Sequence, residues 1–220
     1  MKQFDPASLS VAERYKLLIG CVVPRPIAFV STVSPQGVAN LAPFSFFAGV
    51  GSNPMTVAFC PANTHEGGEK DSLRNAKPTS EGGMGEFVVN IASERYIREV
   101  AGAAEPLPAE ESEFDLVGLT RGPCRVVAPP RVIESPAAFE CVTEFVHRTN
   151  PGEPGGGNLV LGRVVHVWIE DEAVNKRMHV DPDVLRAVGR MGGSEYCRTG
   201  DRFALPVGRS ALESPDPGGV

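Results

Sequence analysis

The stretch PRPIAFVSTVSPQGVANLAPFSFF, residues 24–47, decides the fold of this chain. Its segment 27–33 is rich in β-branched and aromatic residues, and a second apolar run follows at 38–42. The four residues 34–37, Ser-Pro-Gln-Gly, lie between these runs, and their proline and final glycine suit a tight reversal. The stretch therefore predicts two short antiparallel strands joined by a turn.

The end of this stretch mixes small, hydroxyl and aromatic side chains that suit a flat, partly apolar ligand. Phe44, Phe46 and Phe47 offer packing surface, while Asn40 and Ser45 offer hydrogen bonds. Buried aromatic residues beside a strand–turn–strand unit are also ordinary components of a β-barrel core. The pattern alone leaves both interpretations open.

Further strands are predicted from apolar alternation at 55–60, 87–92, 139–147 and 158–169. The last two are separated by the glycine- and proline-rich segment 150–157, which predicts a hairpin connection. With 24 Gly and 20 Pro, the chain turns often, which favours many short strands over long helices. Strands arranged in hairpins predict a mainly β fold, in which a mostly antiparallel sheet closes into a barrel.

Short helices are predicted at two places. Ser10 and Glu13 have the spacing of a capping box and begin a helix at 10–19, whose Tyr15, Leu18 and Ile19 are expected to pack on a sheet. A second helix is predicted at 94–103.

The chain length suits one domain over residues 1–207, since 220 residues are enough to bury a core. The proline- and acid-rich segment 104–125 is expected to wrap the surface of this domain, and the small, polar tail 208–220 is expected to be disordered.

Composition limits the partners of the protein. A net charge of −6 argues against binding to nucleic acid or to an anionic membrane. The sequence contains no apolar run of 18 residues, so we expect no transmembrane helix. The N-terminus lacks the apolar core of a signal peptide. Five cysteines without a Cys-x-x-Cys pair predict neither a disulfide framework nor a zinc site, so we expect reduced thiols in the cytoplasm.

The common catalytic motifs are missing from the sequence. It contains no Gly-x-Gly-x-x-Gly, Walker A, His-Glu-x-x-His or Gly-x-Ser-x-Gly pattern, and its four histidines share no metal-binding spacing. The sequence therefore predicts no bound metal and identifies no catalytic side chain. A protein so poor in acid–base groups either performs no reaction or takes its chemistry from a cofactor.

Four blocks of sequence, in this order, carry a resemblance to a known family. Residues 24–47 are followed by KDSLRN (70–75), by GEFVVN (85–90), and by GRMGG (189–193) with YCRTGDRF (196–203). Over roughly residues 15–206 the chain resembles the flavin reductase-like family, the FMN-binding split barrels that include flavoredoxin-type proteins. The resemblance implies an antiparallel split β-barrel of Greek-key type, with noncovalently bound FMN and a homodimer that builds the flavin site beside its interface.

The resemblance also assigns the site. It implies FMN contacts from Ser31, Thr32, Asn40, Ser45, Phe46 and Phe47, with Arg25 as a second cation near the flavin. It places the phosphate near the motif Lys70-Asp71-Ser72, where Lys70 and Ser72 hold it. Arg190 and Tyr196 are implied to shape the site near the dimer interface. Two glycine-rich segments near 66–69 and 80–85 depart from the family pattern, and their effect on the phosphate end is left open.

Three functions are compatible with these observations. The leading hypothesis is an NAD(P)H-dependent FMN oxidoreductase, a flavin reductase that passes electrons to free flavin or to a protein acceptor. The second is a flavoredoxin-like electron carrier without a nicotinamide site, and the third is a flavin-free split-barrel binding module. The sequence does not distinguish NADH from NADPH and does not name the electron acceptor.

Overall fold

The computed structural model of the chain describes residues 1–214. The described strands are β1 (Arg25–Pro26), β2 (Ala28–Val33), β3 (Ala39–Phe44), β4 (Phe47–Ser52), β5 (Met55–Phe59), β6 (Glu86–Ile91), β7 (Arg121–Gly122), β8 (Arg131–Val132), β9 (Ala137–Arg148), β10 (Asn158–Ile169), β11 (Val188–Arg190) and β12 (Tyr196–Arg198). The α-helices are α1 (Val11–Cys21), α2 (Asp71–Ala76), α3 (Ile97–Gly102), α4 (Glu113–Val117), α5 (Pro182–Leu185) and α6 (Arg209–Leu212).

Seven strands form one antiparallel sheet with the spatial order β3-β2-β6-β9-β10-β5-β4. Strands β1, β11 and β12 form a second, three-stranded sheet, and β7 pairs with β8. The seven-stranded sheet ends at β3 on one side and at β4 on the other. The mainly β, antiparallel architecture predicted from the sequence is confirmed.

The predicted strand pair of residues 24–47 is confirmed as β2 and β3. Ala28 pairs with Phe44 at one end and Val33 pairs with Ala39 at the other. The turn is closed by Gly37 N–H, which donates to the Ser34 carbonyl over 2.8 Å. Gly37 has a φ of +85°, a conformation that glycine adopts without steric cost, so the final glycine of the turn is required by the backbone.

Alternation along β2 supplies two cores. Val30 packs with Phe59, Phe87 and Leu73 of α2, while the neighbouring Phe29 joins a second core on the other face of the sheet. Because successive side chains of a strand point to opposite faces, one six-residue strand contributes to both clusters. Strand β2 is therefore buried on both sides and fixes the position of β3 at the sheet edge.

The expected packing of helix α1 is wrong for most of its apolar face. The Ser10–Glu13 capping box is present, and Ile19 is buried as expected. Tyr15 and Leu18 are 56% and 49% exposed, so the stripe expected to cover a sheet faces outward. The helical periodicity was sufficient to predict the helix but not the surface it packs against.

Three other expectations are compared with the structure. The predicted helix 94–103 begins as a 3-10 turn, Glu94–Tyr96, before α3. Segment 104–125 does not only wrap the surface, because α4 buries Phe114 and Glu113. The tail that we expected to be disordered contains α6, and its residues 215–220 lie outside the described part.

Among residues 1–214, no helix is both long and apolar enough to cross a membrane.

Candidate functional site

Asn40 of β3 is the centre of a buried polar network. Its Oδ1 accepts from Ser72 Oγ at 2.9 Å and lies 3.3 Å from Thr32 Oγ1, which in turn accepts from Asn75 Nδ2 at 3.0 Å. Its Nδ2 donates to both carboxylate oxygens of Glu113 at 2.8 Å. The network joins β2 and β3 to α2 and α4, and it includes Thr32, Asn40 and Ser72, which the family resemblance assigned to the cofactor.

The direction of these hydrogen bonds is set by Glu113. Its carboxylate also accepts from the Leu41 backbone N–H at 2.9 Å, so Asn40 must turn its Nδ2 toward Glu113 and its Oδ1 toward Ser72. A serine hydroxyl has one proton, and here that proton is donated to Asn40. Ser72 is therefore left with lone pairs only, and it is 2% exposed.

Glu113 was missed by the sequence analysis. Burial raises the pKa of its carboxyl above the ordinary value, against the hydrogen bonds from Leu41 and Asn40 that lower it, and Asp71 raises it further. The residue lies about seventy positions from its partners, in a segment whose prolines and acids indicated only a surface loop. An acid directly before a buried Phe114 at the start of a helix was the only available signal.

Ser31 lies on the opposite face of β2 from Thr32. Its hydroxyl donates to the Pro130 carbonyl and accepts from Asn90 Nδ2 at 3.3 Å. Asn90 also accepts from the Val132 N–H at 2.8 Å, and Ser31, Asn90 and Val132 are all buried. Ser31 therefore holds the loop before β8 against the sheet, apart from the Asn40 network.

Arg25 of β1 is 3% exposed and is used by the protein itself. Its guanidinium donates to the carbonyls of Ile19, Val22 and Met191 over 2.6, 2.8 and 2.9 Å, and to Ser45 Oγ over 3.2 Å. A guanidinium has five N–H donors, and these four hydrogen bonds use four of them. Arg25 joins the end of α1 to the three-stranded sheet and to the chain that leaves β3.

Arg190 and Tyr196 lie next to Arg25 in the same small sheet. Arg25 pairs with Arg190, and Arg190 pairs with Tyr196. The Arg190 guanidinium lies 4.4 Å from the centre of the Tyr196 ring, and it donates to the Gly193 carbonyl over 2.8 Å. Tyr196 is 38% exposed, so this stacked pair presents a cation and an aromatic ring at the surface.

Ser45, Phe46 and Phe47 connect β3 to β4 and are each half-buried. Phe47 packs against the core of the seven-stranded sheet, and the Phe46 carbonyl accepts from the Cys60 N–H over 2.8 Å. The segment is therefore fixed at both its backbone and its side chains while part of its surface stays open.

Lys70 and Asp71 stand at the start of α2, beside the Asn40 network. Lys70 is exposed and forms no salt bridge with any residue of the range 1–214, whereas Asp71 pairs with Arg74. A cavity of about 250 Å³ opens here between the β2–β3 turn, α2 and the start of α4, with Asn40, Asp71 and Glu113 in its wall.

The structure thus divides the predicted residues into two groups and leaves Ser31 outside both, on the other face of β2. Thr32, Asn40, Asp71 and Ser72 lie with Lys70 toward the turn end of the β2–β3 hairpin. Arg25, Ser45, Arg190 and Tyr196 lie at its other end. At about 3.3 Å per residue, the four-residue step from Thr32 to Ala28 separates these ends by roughly 13 Å.

Within the described part of the chain, no group of three or more His, Cys, Asp or Glu side chains could hold a metal ion.

Comparison with known proteins identifies the family of this chain. The family model described as "Flavin reductase like domain" matches residues 19–187. The structure of nitrilotriacetate monooxygenase component B from Bacillus cereus is 33% identical with a TM-score of 0.85, covering 93% of this chain and 98% of that one. The 2-nitrobenzoate 2-nitroreductase of Pseudomonas fluorescens is 27% identical with a TM-score of 0.81, covering 99% and 100%.

A third solved structure supports the fold. The putative flavin reductase with a split barrel domain from Shewanella frigidimarina is 19% identical with a TM-score of 0.78, covering 94% of this chain and 100% of that one. The expected split-barrel fold is therefore confirmed. Because the family model spans well over half of the chain, including the β2–β3 hairpin, α2 and the barrel strands, the protein belongs to the flavin reductase-like family.

Proposed function

We propose that the protein is an FMN-dependent oxidoreductase that accepts hydride from NADH or NADPH and passes electrons to free flavin or to a protein acceptor. The observation that carries this proposal is the family match, which covers both ends of the β2–β3 hairpin and the start of α2. The oxidoreductase names of similar proteins, a monooxygenase component and a nitroreductase, support the same reaction class.

The residues present fit an elongated ligand with a phosphate at one end. Lys70 supplies an exposed cation without a salt bridge in the described range, at the turn end of the hairpin. The half-buried segment of Ser45, Phe46 and Phe47 supplies backbone groups and aromatic surface at the other end. We assign FMN to the path between them, along the edge strand β3, with Thr32, Asn40 and Ser72 as the support beneath it.

The division of work between cofactor and protein follows from the side chains. Bound FMN would supply the hydride-accepting ring, so no acid–base pair is required from the chain. Asn40 and Glu113 hold β3 in place, and Arg25 holds Ser45. The exposed Arg190–Tyr196 pair borders the open end and is the surface that we assign to the nicotinamide.

Anaerobic reduction tests this function. NADH or NADPH should bleach the bound flavin, and free flavin or oxygen should restore the colour. Dithionite serves as the positive control, because it reduces accessible flavin without a nicotinamide site. If dithionite bleaches the flavin and neither nucleotide does, the protein is an electron carrier and its donor is another protein.

We also propose that the protein works as a homodimer in the cytoplasm. Val11, Tyr15 and Leu18 of α1, and Val22 directly after it, form a stripe that is about half exposed, and the edge strand β4 is exposed over most of its length. A second copy that covers these surfaces would bury apolar area and protect a strand edge, and two-fold pairing is the commonest arrangement. Sedimentation at micromolar concentration should give a dimer; a monomer with full flavin occupancy would contradict this.

A further inference from the structure

Three cationic side chains converge on Glu69, the residue directly before Lys70. Lys77 Nζ lies 2.8 Å from Glu69 Oε2, and Arg148 of β9 donates to Oε1 from Nη2 at 2.9 Å and from Nε at 3.1 Å. Arg74 Nη1 donates to the Glu69 backbone carbonyl over 2.6 Å. Both the side chain and the backbone of Glu69 are thus held by cations from two different elements.

The segment that carries Glu69 is also fixed from the other side. A Cβ on Gly67 would lie 2.0 Å from the carbonyl oxygen of Gly152, so this segment touches the β9–β10 connection backbone to backbone. Asn63 Nδ2 donates to the carbonyls of Asn150 and Glu153 over 3.1 and 2.9 Å. The glycine-rich segments 66–69 and 150–157 are therefore held against each other, which restricts the backbone that leads into Lys70.

The same contacts pair most of the nearby cations with carboxylates. Arg148 Nη2 also lies 2.6 Å from Glu81, so its guanidinium bridges two carboxylates, and Arg74 pairs with Asp71. Burial raises the pKa of Glu69, but the hydrogen bonds from Lys77 and Arg148 outweigh it and hold that pKa below its usual range. Of the four cations around this segment, Lys70 alone has no carboxylate partner among residues 1–214.

We infer that Glu69 is a positioning residue that selects phosphorylated flavin by fixing the backbone that leads into Lys70. This inference rests on the proposed function, in which Lys70 meets the FMN phosphate. It also gives the divergent segment 66–69 a role, which is to hold Lys70 in position for its contact with the phosphate.

Affinities for FMN and riboflavin test this inference, because riboflavin lacks the phosphate. Glu69→Asp keeps the charge but shortens the reach, and Glu69→Gln keeps the length but removes the charge. Each should weaken FMN binding roughly three- to tenfold and leave riboflavin binding unchanged. In a Lys70→Ala background, neither change should weaken FMN binding further, because Glu69 acts through Lys70.

Controls separate this role from a merely structural one. Glu66→Gln changes an exposed acid in the same loop and should alter neither affinity, and thermal unfolding of every variant reports lost stability. Equal losses for both ligands, unchanged FMN affinity in both Glu69 variants, or an effect that persists in Lys70→Ala would overturn the inference. A Lys70→Ala change that leaves the FMN-to-riboflavin ratio intact would instead remove the phosphate contact of the proposed function.

Discussion

The inner wall and the rim of the candidate site contain similar polar side chains, but those of the wall are buried and bonded to the protein whereas those of the rim are exposed. The inner wall consists of Arg25, Thr32, Asn40 and Ser72, which are at most 8% exposed and hydrogen-bonded to the protein. The rim consists of Lys70, Arg190 and Tyr196, which retain exposed surface. Two arginines that pair across β1 and β11, Arg25 and Arg190, thus belong to different regions.

This difference shows that polar residues near a proposed ligand need not all be ligands. The buried polar groups of the wall already have hydrogen-bond partners within the protein. Removing a partner leaves a buried donor or acceptor unpaired, which costs free energy. The wall can hold strands in position without rearrangement when a ligand binds. Changes in the wall should therefore lower stability, whereas changes on the rim should lower ligand affinity.

Arg25→Met gives the largest expected effect. The substitution removes the donor of the buried Ile19 carbonyl and of the partly buried carbonyls of Val22 and Met191. A buried group left unpaired costs about 1–3 kcal/mol, and a partly buried one costs less because water can reach it. We expect the free energy of unfolding in urea to fall by at least about 3 kcal/mol. The matched Arg190→Met should lower it by less than about 1 kcal/mol. Similar losses in the two variants would remove the distinction between wall and rim.

Lys70→Ala should affect affinity and spare stability. A charge-assisted contact with phosphate contributes about 1.5–3 kcal/mol, so FMN binding should weaken roughly ten- to a hundredfold. Riboflavin binding should stay unchanged, and stability should change by no more than about 0.5 kcal/mol. Lys176→Ala, in an exposed loop, is the control for removing a surface charge. Equal weakening of both ligands would mean that Lys70 supports the fold or the ring.

Glu113→Gln should produce the smallest effect, visible in the pH dependence of stability. Burial raises the pKa of Glu113 in the folded protein, so folding favours its protonated form. The stability that this group contributes is therefore full below its ordinary pKa and is lost as pH rises through the folded value. Wild type should lose stability relative to Glu113→Gln as pH rises from about 4 to 7.

The matched control for this titration is Glu111→Gln, which changes an exposed acid of the same segment and should follow wild type. Urea unfolding at each pH measures the difference. A wild type that gains stability relative to Glu113→Gln with rising pH would show that the hydrogen bonds of Asn40 and Leu41 outweigh burial.

Much of the fold could be predicted from local sequence. The β2–β3 turn follows from a proline and a glycine at fixed positions, and the β9–β10 hairpin follows from two alternating runs around a glycine-rich segment. Strand β4 was not predicted, because Gly49 and Gly51 have low strand propensity. Hydrogen bonding to β5 makes the segment a strand in the folded protein.

The site was less predictable than the fold. Residue types near the hairpin indicated which positions are polar, but only the three-dimensional structure shows that Asn40 is bonded to Glu113 and Arg25 to backbone carbonyls. The outward face of α1 could not be read from its periodicity, since an apolar stripe fits a core and an interface equally well.

Titration of flavin-free protein with FMN tests the central claim most directly. If wall and rim together form an FMN site, added FMN should bind noncovalently at about one per chain, and heat-denatured protein should release it unchanged. Riboflavin should bind more weakly by roughly the ten- to a hundredfold that the Lys70 contact supplies. Folded protein that binds neither FMN nor riboflavin would contradict the account and leave a split barrel with another ligand.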